Sequence, residues 1–200
     1  MSGQSCRDNA MCSGHRSWYL RKRIVRPFYV YKYNTDTNNY NHYHNNVYNN
    51  NDNQKKKSLV ARGLARNGEY RNENAPPASR MDLMEYDCHA EQLALNHARS
   101  CDRRLSSPFA RPGYSENIHV LGTTATDLLG AIQNAIATFT GELSANGIPS
   151  NMILTPQVLQ RTHRTVTRVA KVLWNSNRFV GCATVLCSGF YFTSCMYREP

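Results

Sequence analysis

Seven cysteines constrain the fold of this 200-residue chain more than any other feature of its sequence. Cysteines at this density favour an oxidising compartment, where disulfides form and persist. No two of them stand in a C-x-x-C arrangement, a common spacing for zinc ligands and redox pairs. The odd count leaves at least one thiol unpaired or paired with another molecule. The seven are Cys6, Cys12, Cys88, Cys101, Cys182, Cys187 and Cys195.

Two runs rich in β-branched and aromatic residues, 179–187 and 190–197, predict a hairpin with a two-residue Ser-Gly turn between them. Such a turn places Cys182 directly opposite Cys195. This pair falls at a non-hydrogen-bonded position, where facing Cα atoms come closest, so the geometry predicts a disulfide. Cys187 has the opposite parity, and its side chain is therefore expected on the other face of the sheet.

Apolar residues recur at three- and four-residue steps in several segments and predict helices there. The last of these helices begins at Thr155-Pro156, a typical helix start. The order of elements indicates an α+β domain in which helices cover a small antiparallel sheet. Besides the hairpin, the predicted elements are helices at 58–65, 81–101, 128–143 and 155–170, and a short strand at 118–121.

The positive charge of the chain is concentrated in its N-terminal part. The net charge is +10, and residues 1–80 carry 14 Lys and Arg against 5 Asp and Glu, whereas residues 81–200 carry 10 against 9. Residues 1–33 are basic and aromatic, and the segment that follows is rich in asparagine, so we expect residues 1–53 to form a disordered extension. The alternative is a basic protein that binds nucleic acid or a membrane surface through residues 1–57.

Two observations on localisation point in different directions. The cysteine content favours export, but the first 30 residues contain no continuous apolar run of the ~7–15 residues that a secretion signal needs. No stretch approaches the ~18 apolar residues of a membrane span. We therefore expect a secreted protein without a transmembrane segment, whose signal is not visible in this chain.

Several ordered segments between residues 54 and 200 resemble the CAP superfamily of venom-allergen-like proteins, in particular the secreted CAP proteins of nematodes. The resemblance runs from the first helix of that family, through its Gly-Glu-Asn-Ile motif, to its closing strand. The segments that carry it are KSLVARGLARNG, APPASRMDLMEYDCHAEQLALNHARSC, YSENI, NMILT, RVAKVLWNSNRFVGCATVLC and FYFTSCMYREP.

The resemblance implies a three-layer α-β-α sandwich over residues 54–200 and a secreted, non-enzymatic protein without a cofactor. Its partners would be extracellular host or self proteins, or sterol or fatty-acid ligands, with no nucleic acid bound by the folded domain. The family pattern also implies a second disulfide, Cys101–Cys187, between a helix and the opposite face of the sheet. Cys88 is then the unpaired cysteine of the domain, and we interpret it as a buried structural thiol.

CAP domains typically hold two histidines and two glutamates in a central cleft that can bind a divalent cation. Glu116 and Glu142 match the two carboxylates, but Asn53 and Arg168 stand at the histidine positions. Arginine stays protonated and cannot ligate a metal, so we expect no metal there. An ion pair with Arg168 would neutralise the carboxylates, so we expect no catalytic residue. His163 remains as a weak candidate metal ligand, since a lone histidine is more often a surface or core residue.

Overall fold

A computed structural model describes the backbone of residues 28–29, 46–47 and 50–198, and the side chains of residues 56–198. Cys6, Cys12 and the side chain of Asn53 lie outside this description, as does most of the predicted extension. The elements in chain order are β1 (Phe28–Tyr29), β2 (Asn46–Val47), α1 (Asn50–Ala61), β3 (Glu85–Tyr86), α2 (Cys88–Ala98), β4 (Ser115–Leu121), α3 (Leu128–Ala145), α4 (Pro156–Leu159), α5 (Thr167–Leu173), β5 (Phe179–Cys187) and β6 (Phe190–Arg198).

The central sheet has four strands in the order β3-β5-β6-β4, while β1 and β2 pair separately. The hairpin of β5 and β6 has the predicted register, with Cys182 opposite Cys195. Their Cα atoms are 4.1 Å apart and the two residues form a disulfide. Cys101 and Cys187 form the second disulfide, with Cα atoms 6.0 Å apart.

The helices cover both faces of this sheet. Alternate residues of β5 and β6, among them Ala183 and Phe192, pack on α2. The intervening residues, among them Val180 and Tyr197, pack on α3 and α5. This alternation follows from the two-residue side-chain period of a strand. The α+β class and the three-layer α-β-α sandwich are therefore confirmed, with Cys182–Cys195 on one face of the sheet and Cys101–Cys187 on the other. The sheet is antiparallel as predicted except for β3, which runs parallel to β5.

The second helix begins later than the sequence predicted. Asp87 caps α2 by accepting hydrogen bonds from the backbone nitrogens of His89 and Ala90. The residues before this cap form β3, which lies parallel to the start of β5. Gly181 lets α2 approach β5 closely, because a Cβ at this position would overlap the backbone nitrogen of Glu91.

The single helix predicted from residue 155 to 170 is wrong, because the chain forms two helices there. Thr155 caps α4 as predicted, but the helix stops after Leu159. Arg164 then takes a φ of 60°, a left-handed conformation that an α-helix does not contain. The polar segment 160–165 has little apolar surface to bury, and α5 starts only where the core is reached again.

The first helix is docked by a buried lysine. The Nζ atom of Lys57 donates to the carbonyl oxygens of Trp174, at 3.3 Å, and Asn177, at 3.1 Å. Burial lowers the pKa of Lys57 to about 8, against the attraction of Asp82. These bonds fix α1 at the C-terminal end of α5. The helix starts at Asn50 and ends at Ala61, so it is shifted toward the N-terminus relative to the prediction.

The expectation of a free thiol at Cys88 is wrong. Cys88, at the first position of α2, is disulfide-bonded. The chain therefore offers no reactive or free cysteine at this position.

The disulfides Cys101–Cys187 and Cys182–Cys195 should contribute unequally to stability. Cys101–Cys187 spans 86 residues and Cys182–Cys195 spans 13. The chain-entropy model gives about 4–5 kcal/mol for the longer loop and about 3 kcal/mol for the shorter. In urea unfolding, Cys101→Ser with Cys187→Ser should therefore cost more stability than Cys182→Ala with Cys195→Ala. An equal or larger cost for the shorter loop would contradict this ranking by loop length.

Candidate functional site

Glu116 is a buried carboxylate whose two oxygens are fully engaged. It lies in β4 opposite Met196 and is 1% exposed. Ser194 Oγ donates to Oε1 at 2.6 Å, and the backbone nitrogen and hydroxyl of Ser106 donate to Oε2 at 2.8 and 2.7 Å. His97 Nδ1 contacts Oε1 closely. Burial opposes ionisation, but these bonds and the charge of His97 outweigh it and hold the pKa of Glu116 below its ordinary value.

Arg111 also lies beside the Glu116 carboxylate, and Asp102 lies on the other side of His97. Arg111 Nε lies 3.5 Å from Glu116 Oε2 and 3.1 Å from the hydroxyl of Ser106. The Nε2 atom of His97 lies 3.3 Å from Asp102 Oδ1, within ion-pair distance but not aligned for a hydrogen bond. His97 therefore sits between two carboxylates, with its ring edge on Phe192.

Glu142 serves a different purpose, because it caps α5 from a neighbouring helix. Its Oε2 atom accepts from the backbone nitrogens of Arg168 and Val169 at 2.9 and 3.0 Å. The N-cap residue of α5, Val166, has no side chain that can do this. Burial raises the pKa of Glu142 above its ordinary value, and the bonds from α5 and the charges of Arg168 and Lys171 only partly offset it.

Four basic side chains lie around these carboxylates, and we call them the basic cluster: Arg111, His119, Arg168 and Lys171. Arg168 Nη1 is 3.5 Å from Glu142 Oε1, within ion-pair distance. Lys171 Nζ donates to the backbone oxygen of Glu116 at 2.6 Å. His119 Nε2 is 2.8 Å from the side-chain oxygen of Asn134. Among the described residues, the carboxylates of Glu116 and Glu142 share no hydrogen-bond partner.

The protein's own donors engage the two carboxylates that acid–base catalysis or metal binding would use. A catalytic acid or base must reach the substrate, whereas both oxygens of Glu116 are occupied by the protein. In the part of the chain with described side chains, no group of three or more His, Cys, Asp and Glu could hold a metal ion. His163 lies exposed in the segment between α4 and α5.

Sequence reasoning missed several residues of this site. His97, Ser106, Ser194 and Lys171 were not predicted, although they supply most of the contacts of Glu116. Ser194 lies two residues from Met196 in β6 and so shares a face of the sheet with it. Since Met196 pairs with Glu116, the strand period places Ser194 beside Glu116 once the pairing of β4 with β6 is known. The others come from elements whose relative positions the sequence does not show.

Comparison with known proteins identifies the family. The profile of the cysteine-rich secretory protein family, CAP, matches residues 60–197. The "Ancylostoma secreted protein" of Ancylostoma caninum is 32% identical over 141 residues, which cover 70% of this chain and 33% of that protein. The chain thus spans about one third of that relative. It belongs to the CAP family.

Two solved structures extend the comparison. "NaASP2 with Zn2+" superposes with a TM-score of 0.68 at 32% identity, covering 72% of this chain and 74% of that one. "Na-ASP-1" gives a TM-score of 0.69 at 31% identity, covering 72% of this chain and 36% of that one.

Within the described residues, no helix combines the length and apolar character needed to cross a membrane.

The two glutamates should respond to pH in opposite ways. The lowered pKa of Glu116 means that its ionised form stabilises the fold, a contribution present above about pH 4.3 and lost as the pH falls through the lowered pKa. The raised pKa of Glu142 means that its contribution is complete below about pH 4.3 and is lost as the pH rises through the raised pKa.

Unfolding free energies of Glu116→Gln and Glu142→Gln, measured between pH 3 and 7, test this assignment. Glu116→Gln should cost about 3–5 kcal/mol at neutral pH, because it breaks a buried charged network. Its deficit relative to wild type should shrink as the pH falls. The deficit of Glu142→Gln should grow as the pH falls. Two deficits that move in the same direction would contradict the opposite environments described here.

Proposed function

We propose that this protein is a secreted, non-enzymatic CAP protein that acts by binding extracellular partner proteins, with sterols or fatty acids as the alternative ligands. The observation that carries the proposal is that Glu116 and Glu142 are both engaged in holding the domain together. Glu116 joins a helix, a loop and two strands, and Glu142 caps α5. Neither retains the accessible, unsatisfied oxygens that hydrolysis or metal ligation needs.

The family supports the same proposal. CAP proteins are generally non-enzymatic and bind extracellular partners, and the matched relative is named as a secreted protein. The two disulfides between described cysteines are those of a protein that folds in an oxidising compartment. The alternative of nucleic-acid or membrane-surface binding concerns residues 1–57, whose side chains lie almost entirely outside the description.

The loop between α2 and β4 offers a surface for a protein partner. Phe109 is 95% exposed and Leu105 is 53% exposed. The loop is tied down by the bonds from Ser106 to Glu116, and by Arg111 Nη1, which donates to the carbonyl oxygen of Tyr114 at 2.6 Å. An exposed aromatic side chain on an anchored loop loses little conformational entropy on binding, which favours it as a contact residue.

Zinc titration calorimetry of the full-length protein tests the non-metal character of the site. We expect no stoichiometric binding at the cleft, because Glu116 is enclosed and the arginine paired with Glu142 repels a cation. Arg168→His combined with Asn53→His should move the site toward zinc binding. A tight, stoichiometric response of the wild type that disappears in Glu116→Gln with Glu142→Gln would overturn the proposal, and His163→Ala would then test whether that histidine completes the site.

Removing the guanidinium of Arg168 tests the structural role of this group separately. Arg168→Gln should lower the unfolding free energy by about 1 kcal/mol, since the ion pair is partly exposed and screened by solvent. Arg104→Gln is the matched control, because this exposed arginine makes no side-chain ion pair with a described residue. Equal stability of Arg168→Gln and wild type would show that the pair with Glu142 does not hold the domain together.

A further inference from the structure

The basic cluster is assembled by α5 and β4. Arg168 and Lys171 are three residues apart and therefore lie on the same face of α5. Both are held against β4, since the carbonyl oxygen of Arg168 accepts from Asn117 Nδ2 at 2.9 Å and Lys171 Nζ donates to the backbone oxygen of Glu116. His119 is two residues beyond Asn117 in the same strand, so it lies on the same face of the sheet.

Arg168 and Lys171 have more N–H donors than the described residues have acceptors bonded to them. The side chain of Arg168 is 45% exposed, and its contact with described side chains is one ion pair of 3.5 Å. A guanidinium carries five N–H donors, so most of these are available to a ligand. Lys171 Nζ has three donors, of which one bonds a backbone oxygen. Glu142 directs its other oxygen to the backbone of α5.

The positive charges are also close enough to oppose one another. Burial lowers the pKa of Lys171, repulsion from Arg111 and Arg168 acts in the same direction, and the attraction of Glu116 and Glu142 opposes it. Burial likewise lowers the pKa of His119, with Arg168 contributing in the same direction, against the hydrogen bond that His119 donates to Asn134. Like charges held together cost stability, and groups with perturbed pKa values cluster at functional sites.

We propose that the basic cluster binds a small oxyanion, a phosphate or sulfate group, between Arg168 and Lys171. The guanidinium supplies a planar fork that matches two oxygens of such a group, and the ammonium supplies a point charge beside it. Bound there, the anion offsets the repulsion among Lys171, Arg111 and Arg168. The inference rests on the proposed function in one respect, namely that the cleft holds no metal cation.

Inorganic phosphate is the probe that tests this site. The full-length protein, labelled with ¹⁵N, is titrated with sodium phosphate at pH 7 and constant ionic strength, with sodium chloride as the reference. Saturable shifts should appear at the amides of Asn117, His119 and Lys171. Arg168→Gln should weaken the apparent affinity at least tenfold, and Arg168→Lys, which keeps the charge but not the fork, should weaken it by less. Arg104→Gln should bind as the wild type does.

Linear shifts without saturation up to 50 mM phosphate, or an equal loss in Arg104→Gln, would overturn the proposal, because either shows a response to overall charge. Dispersed spectra of Arg168→Gln establish that the variant is folded. Sulfate and a phosphate monoester serve as further arms: tighter binding of the ester identifies a phosphorylated molecule as the source, and equal binding identifies the free anion. If the protein binds neither zinc nor phosphate, the oxyanion site is ruled out while the proposed function stands.

Discussion

The carboxylate of Glu116 is buried where α2, the loop that follows it and the sheet meet. Removing a carboxylate from water costs several kcal/mol unless its charge is paired and its oxygens are bonded. Here His97 comes from the helix, Ser106 from the loop and Ser194 from β6. The contacts to the Glu116 carboxylate therefore tie these three elements to one another. The loop that carries the exposed Phe109 is fixed by the same carboxylate, which links the buried network to the surface that we propose for partner binding.

The second carboxylate shows how the same residue type takes a different role in a different environment. Among the described residues no hydroxyl donates to Glu142, and burial dominates its pKa. Its Oε2 atom stabilises the first turn of α5, which has no capping side chain of its own. Because α5 carries Arg168 and Lys171, the cap also fixes the position of two basic groups. The cleft is thus a set of internal ion pairs with surplus positive charge, in contrast to a cluster of metal ligands.

Local geometry explains which features could be predicted from the sequence. The pairing of Cys182 with Cys195 follows from a two-residue turn alone, and the amphipathic stripe of α3 follows from helical period. The family resemblance predicted the sandwich and the Cys101–Cys187 disulfide. The break between α4 and α5 was missed because the group that caps α5, Glu142, lies more than 20 residues away in the chain. The contact of His97 with Glu116 was missed for the same reason, since it depends on tertiary packing and not on sequence spacing.

The domain depends on two carboxyl groups in opposite states, with Glu116 an ionised structural anchor and Glu142 a buried carboxyl whose ionisation is opposed. Carbon-13 NMR titration of the side-chain carboxyl groups measures this directly, with signals assigned through Glu116→Gln and Glu142→Gln. We expect Glu116 to titrate below the ordinary glutamate pKa of about 4.3 and Glu142 above it. If Glu116 titrates above that value, its carboxyl is a proton donor in the cleft and not an anchored anion, and the structural role given to it here is wrong.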